Sequence, residues 1–123
     1  MLQSEQVLAT LKDVVVGLVR TEEPDLTARQ LSIFLLIHQL KGPHTVRAMA
    51  LTLDIAKPAV TRAADRLEEH GLIKRQSDPR DRRSVLLTQT RKGEVAYRRM
   101  VNLASEAWRT QGGKFRPAKQ SAA

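Results

Sequence analysis

The chain contains no cysteine. That excludes a disulfide framework, a thiolate metal site and a thiol redox switch. Aromatic side chains are almost as scarce: Phe34, Tyr97, Trp108 and Phe115 are the whole set. The core must therefore come from Leu, Ile, Val and Ala, which at helical spacing points to an α-rich fold. No apolar run is long enough to span a bilayer, and the first residues lack a basic, signal-like start. The expectation is a soluble cytoplasmic, nucleoid-associated protein without membrane contact. No nucleophile motif, P-loop or dinucleotide fingerprint occurs, so the chain is read as a non-enzyme without a cofactor. His38, His44 and His70 match no metal-ligand spacing.

Acidic residues are also few, and the basic excess is unevenly placed. The formal net charge is +8. Residues 1–56 carry a net −1, residues 57–99 a net +6 and residues 100–123 a net +3. Three quarters of the excess thus falls on one central segment, the footprint expected of a nucleic-acid binder.

That segment begins with a short helix over residues 57–70, closed by Gly71. Val60, Ala64 and Leu67 recur at i, i+4 and i+7 and make one narrow apolar face. Pro58, Thr61, Arg62, Asp65 and Glu69 lie opposite, with Arg66 on the flank. Pro58 suits the first helical turn and Gly71 the position past the end. Two β-prone runs follow, separated by Ser77-Asp78-Pro79-Arg80-Asp81-Arg82-Arg83, which predicts a hairpin over residues 72–88 with an extended basic tip.

The remaining elements frame this unit. Residues 4–20 read as a helix with an apolar stripe through Val7, Leu11, Val14 and Leu18, widened by Leu8, Val15 and Val19. So broad a stripe either packs into its own core or awaits another chain. Thr27 and Gln30 form a capping box opening a helix over 28–41, apolar enough to imply burial on most sides. His44-Thr45-Val46 has room to pair as a very short strand against the hairpin. Residues 47–53 form a two-turn helix with Met49, Ala50 and Leu53 inward. With the turn at 54–56 and the next helix, this is a helix-turn-helix, and with the hairpin a winged helix. Thr90 N-caps a last helix over 91–110. The fold class is mainly α with a small β-hairpin. One domain is expected over 1–111, with terminal helices at 1–25 and 90–111 around a lobe at 26–89. Residues 112–123 read as a flexible basic tail.

These residues resemble the MarR-type winged-helix regulators. The resemblance rests on Leu26-Thr27-x-x-Gln30 and on Val60-Thr61-Arg62-x-x-Asp65-Arg66-Leu67-Glu68-x-x-Gly71-Leu72-Ile73-x-Arg75. It extends through Asp78-Pro79-x-Asp81-Arg82-Arg83 and Thr90-x-x-Gly93. It implies a homodimer whose terminal helices form the interface, here through Leu8, Leu11, Val15, Leu18, Met100, Leu103, Ala107 and Trp108. It makes 57–70 the recognition helix, with Lys57, Pro58, Ala59, Thr61, Arg62 and Arg66 against double-stranded DNA. Arg80, Asp81, Arg82 and Arg83 become the wing, Asp81 gripping the Arg83 guanidinium in the minor groove. Thr45, Arg47, Lys74 and Arg75 are assigned to the DNA backbone, and Arg62 to a base. The implied function is a sequence-specific transcriptional regulator, a repressor on a pseudo-palindromic operator. The alternative is a winged-helix protein–protein module. The sequence departs from the family in Gln89, where Leu is usual, and in having one helix after the wing instead of two. Family members often bind a small aromatic effector, but few aromatics are present here to line a pocket for one.

Overall fold

A computed structural model describes residues 2–116. Its elements in order are α1 (Gln3–Arg20), α2 (Ala28–Gln39), β1 (His44–Thr45), α3 (Val46–Leu53), α4 (Lys57–Glu69), β2 (Ile73–Asp78), β3 (Asp81–Gln89) and α5 (Arg91–Thr110). The described residues divide into two compact units, one from Glu23 to Arg99 and the other up to Glu22 together with those from Met100.

In the larger unit, α2 begins as its sequence dictates. Thr27 Oγ1 accepts the Gln30 N–H at 3.2 Å while the Gln30 side chain accepts the Thr27 N–H at 3.0 Å. Ile33, Phe34 and Ile37 are buried along one side of the helix. The expected burial on most sides does not hold, because Leu31, Leu35 and Leu36 are only half-buried and Leu40 is exposed. The helix also stops at Gln39, two residues short of the expected end, as the chain turns extended at Leu40 before the cis Gly42-Pro43 peptide.

Thr45 caps α3 by accepting the Ala48 N–H at 3.0 Å. The α3–α4 turn depends on Asp54, held in the left-handed region at φ 53°, where short polar residues are tolerated. Helix α4 sends Val60, Ala63, Ala64 and Leu67 into the core. It ends in a Schellman motif: Gly71 at φ 75° donates to the Glu68 carbonyl at 2.8 Å and Leu72 to the Leu67 carbonyl at 2.9 Å. That closure turns the chain into β2. Leu72, Ile73 and Leu87 complete the core with Met49 and Ala96. Each fully buried Leu, Ile or Phe contributes about 1.5–3 kcal/mol.

The antiparallel sheet has the order β1-β3-β2. The short strand expected at residues 44–46 forms as His44–Thr45 against Leu87 and Leu86. The hairpin differs from expectation at its tip. Instead of a seven-residue polar loop, pairing continues to Asp78 opposite Asp81, with an irregularity at Ser77/Asp78, and only Pro79 and Arg80 form the turn. The Arg80 N–H bonds Asp78 Oδ1 at 2.9 Å, an Asx-type turn that replaces the loop.

In the smaller unit, Gln111 joins α1 to the end of α5. Its carbonyl accepts from Gln6 Nε2 at 2.7 Å and its amide donates to Asp13 Oδ2 at 2.7 Å. That bond holds the Asp13 carboxyl below its usual range, with Lys12 adding to the effect. Gly112 at φ 79° and Gly113 close α5 with a second Schellman pair, to Arg109 and Trp108. Trp108 Nε1 donates to the Lys114 carbonyl, and the Arg109 guanidinium lies 5.2 Å from the Phe115 ring centre. Residues 117–123 of the expected basic tail lie outside the described residues. Helix α1 buries no residue, and Val7, Leu8, Leu11, Val15, Val16 and Val19 are all exposed. Of the two readings of its stripe, the uncovered one holds within this chain.

Candidate nucleic-acid interface

Three elements of the larger unit converge on one side. The start of α3, the first turn of α4 and the tip-proximal half of β3 enclose an open concavity of about 510 Å³. It is lined by Thr45, Val46, Arg47, Lys57, Thr61, Asp81, Arg83, Ser84 and Val85. In sequence these residues fall into separate helix, wing and backbone sets. Folding brings Thr45, Arg47, Lys57, Thr61, Asp81 and Arg83 into a single groove. Ser84 and Val85 were not anticipated. Their signal was available only as alternation along β3, where Ser84 is half-buried and Val85 partly exposed.

The electrostatics of the groove favour an anion. Arg47, Lys57 and Arg83 face one carboxylate, Asp81. The first turn of α4 contains no acidic residue, and its N-cap, Ala56, makes no side-chain hydrogen bond. Pro58 has no N–H, and Ala59 and Val60 both donate to the Ala56 carbonyl, so in the first turn only the Lys57 N–H faces the positive end of the helix dipole without a backbone acceptor among the described residues.

Outside the groove, Pro58, Arg62 and Arg66 occupy the exposed face of α4. Arg62 is solvent-facing beside Thr61, whereas Arg66 Nη1 pairs with Glu69 Oε2 at 3.0 Å. Ala59 does not share that face: it is only 9% exposed and belongs to the core, since it precedes Val60 on the inward side. In the wing, Arg80, Arg82 and Arg83 are exposed, as is Lys74.

Two further side chains depart from expectation. Asp81 was expected to grip the Arg83 guanidinium, but its Oδ1 accepts the Arg83 backbone N–H at 3.0 Å. Among the described residues no ion pair joins the two, because the tight turn directs the carboxylate along the main chain. Arg75 was expected at the DNA backbone. Its guanidinium is instead held by α4: Nε and Nη2 bond Glu68 Oε1 at 3.2 and 3.1 Å, and Nη1 pairs with Asp65. The Arg75 N–H also donates to Glu68 Oε2 at 2.8 Å. This backbone bond is the main reason the Glu68 carboxyl lies below its usual range.

Behind the interface, His38 sits between Phe34 and Tyr97. It stacks on Tyr97 at 4.6 Å with rings 6° from parallel and meets Phe34 edge-on at 4.6 Å. Its Nε2 is buried without a hydrogen-bond partner among the described residues. Burial lowers its pKa, partly opposed by the nearby Glu94 charge. Gln89, the departure from the usual Leu, donates from Nε2 to the Ile37 carbonyl at 3.3 Å. No group of His, Asp or Glu able to hold a metal occurs among the described residues. No helix among them is long and apolar enough to cross a membrane.

Comparison with known proteins agrees with this arrangement. The MarR family model matches residues 26–85. The structure of the transcriptional regulator Tm0710 from Thermotoga maritima is similar at a TM-score of 0.74 and 27% identity, covering 88% of this chain and 73% of that one. A MarR transcriptional regulator from Methanosarcina mazei Go1 matches at a TM-score of 0.67 and 21% identity, over 94% and 81% of the two chains. The S. aureus MepR–DNA complex matches in fold at a TM-score of 0.65 and 19% identity, over 89% and 82%. Over residues 26–85, which span the helix-turn-helix and most of the wing, the chain matches the MarR family, and in fold it is similar to solved winged-helix transcriptional regulators.

Proposed function

We propose that the chain acts as a homodimeric repressor that binds a pseudo-palindromic operator. The observation that carries this reading is the groove, in which Arg47, Lys57, Thr61 and Arg83 meet while Arg62 projects from the same helix. Lys57 and Arg47 suit phosphates on either side of a major groove. Arg62 suits a bidentate pair with guanine. Arg83, next to the tight turn of the wing, suits a narrow minor groove, where arginine is the favoured side chain.

The dimer supplies the symmetry. Leu8 and Leu11 are 64% and 52% exposed on α1, and with Val15 they form an apolar stripe too wide for a solvated helix. Leu18, Met100, Leu103 and Trp108 are half-buried beside it in the same unit, ready to be covered by the same residues of a second copy. Ala107 is already buried within one chain and adds little. A two-fold dimer would set its recognition helices about 34–36 Å apart, one turn of B-DNA. Occupying a promoter then excludes polymerase.

The test is selection of bound duplexes from a random pool, followed by anisotropy titration at several salt concentrations. Enrichment of an inverted repeat and a loss of about 10³–10⁵ in affinity between 50 and 200 mM salt would be expected for 6–10 phosphate contacts. Failure to retain any duplex at low salt would return the winged-helix protein–protein module to first place.

A further inference from the structure

The acidic residues of α4 pose a problem for a helix that approaches DNA. Asp65, Glu68 and Glu69 crowd its second half, and a carboxylate near a phosphate repels it. Glu69 is paired with Arg66 on its own helix. Glu68 and Asp65 make a different connection, across to the wing.

Both oxygens of Glu68 are committed to one residue. Oε2 takes the Arg75 main-chain N–H, while Oε1 takes Nε and Nη2 of the same side chain. Asp65, one turn earlier on α4, pairs with the remaining arm of the guanidinium. The planar fork is thereby gripped by carboxylates from successive helical turns, a geometry lysine does not reproduce. β2 is an edge strand, paired only with β3, and edge N–H groups have no partner in the sheet. The helix supplies one. A bond to side chain alone would leave the strand free to slide, but a bond to the main chain fixes strand register against the helix as well.

The three side chains are each about a third exposed, at 31%, 42% and 37% for Arg75, Asp65 and Glu68. Pairs this wet add little to stability. What they do fix is the angle between α4 and the hairpin, and hence the distance between Thr61 in one groove wall and Arg83 in the other. We infer that Glu68 and Asp65 are positioning residues for DNA binding, acting through Arg75 to hold the wing at the spacing a duplex requires. This inference rests on the DNA-binding reading above.

Its sign separates it from ordinary electrostatics. If Glu68 acted only as a charge near phosphates, Glu68→Gln would tighten binding. As a positioning residue, it should weaken binding about tenfold even though the protein becomes more basic. Arg75→Lys keeps the charge and should also weaken binding by a similar factor, whereas a simple phosphate contact would be nearly unchanged. Both variants are to be titrated against the selected operator beside the wild type, with thermal melting as a fold control and hydroxyl-radical footprinting as the second readout. The expected footprint loses protection in the minor groove under the wing and keeps it over the major groove. Should Glu68→Gln fail to fold, Arg75→Lys decides the matter alone. Variants that bind as tightly as wild type, or tighter, with an unaltered footprint overturn the positioning role. A wild-type protein that binds no duplex overturns the DNA-binding reading and this one with it.

Discussion

Gly93 stands so close to the Leu72 carbonyl that a Cβ on it would lie 2.1 Å from the oxygen. The contact is set by Thr90, whose hydroxyl donates to the Gly71 carbonyl at 2.7 Å and accepts the Gly93 N–H at 2.9 Å. One side chain thus ties the end of α4 to the first turn of α5. In an ordinary helix, replacing Gly by Ala gains about 1 kcal/mol in propensity. Here the backbone clash should win, and Gly93→Ala is expected to destabilise by about 1–3 kcal/mol. Urea denaturation of wild type and variant checks the sign.

Arg62→Ala should leave the melting temperature within a few degrees of wild type, because the side chain is solvent-facing. Discrimination between operator and random duplex should fall by about 1–3 kcal/mol, the worth of one bidentate base contact. Competition binding with unrelated DNA measures it, and preserved discrimination would remove Arg62 from base readout.

For Arg83→Ala the loss should depend on what lies under the wing. Operators with A/T-rich flanks should be weakened most, since a narrow minor groove concentrates negative potential. A uniform loss across flank sequences would make Arg83 a phosphate contact only.

Leu8→Glu combined with Leu11→Glu places two charges on the exposed stripe of α1. Neither position is buried within the chain, so folding should be kept while dimerisation weakens at least about a hundredfold, given the cost of burying an unpaired charge. Sedimentation equilibrium distinguishes the outcomes, and an unchanged dimer would relocate the interface.

His38 titrates below its ordinary value of 6.5 because burial disfavours its charged form. The unfolded chain therefore takes up its proton first as pH falls. The stabilisation is complete above 6.5 and is lost progressively below it. Glu68 has its ordinary value at 4.5 and is also lowered, so its contribution is lost only in more acidic solution. Urea midpoints compared between about pH 7.5 and 5 should fall in the wild type and fall less in His38→Phe, which keeps a ring between Phe34 and Tyr97.

The elements legible in the sequence were those with a local cause. The capping box at Thr27 and Gln30, the Pro58 start and Gly71 stop of α4, and the Thr90 cap all specify their partners within a few residues. The strand at His44–Thr45 followed from its β-prone residues and the nearby hairpin. The role of Arg75 was not legible. It lies in a basic stretch, and nothing in spacing distinguishes a residue offered to DNA from one clasped by a helix seven positions earlier. Asp81 failed for a related reason, since proximity in sequence does not say whether a carboxylate meets the side chain or the backbone of its neighbour. The pairing of the hairpin tip is not legible because its polar residues carry no buried face, so hydrophobic alternation cannot reveal it.

The two-residue turn at Pro79 and Arg80 gives the wing a mechanical character as well as a shape. A long loop would mould itself to any duplex and surrender entropy in doing so. A paddle paired almost to its end has less of that freedom to surrender than a loop would. Duplexes of the wrong width would then be rejected by misfit instead of being accommodated.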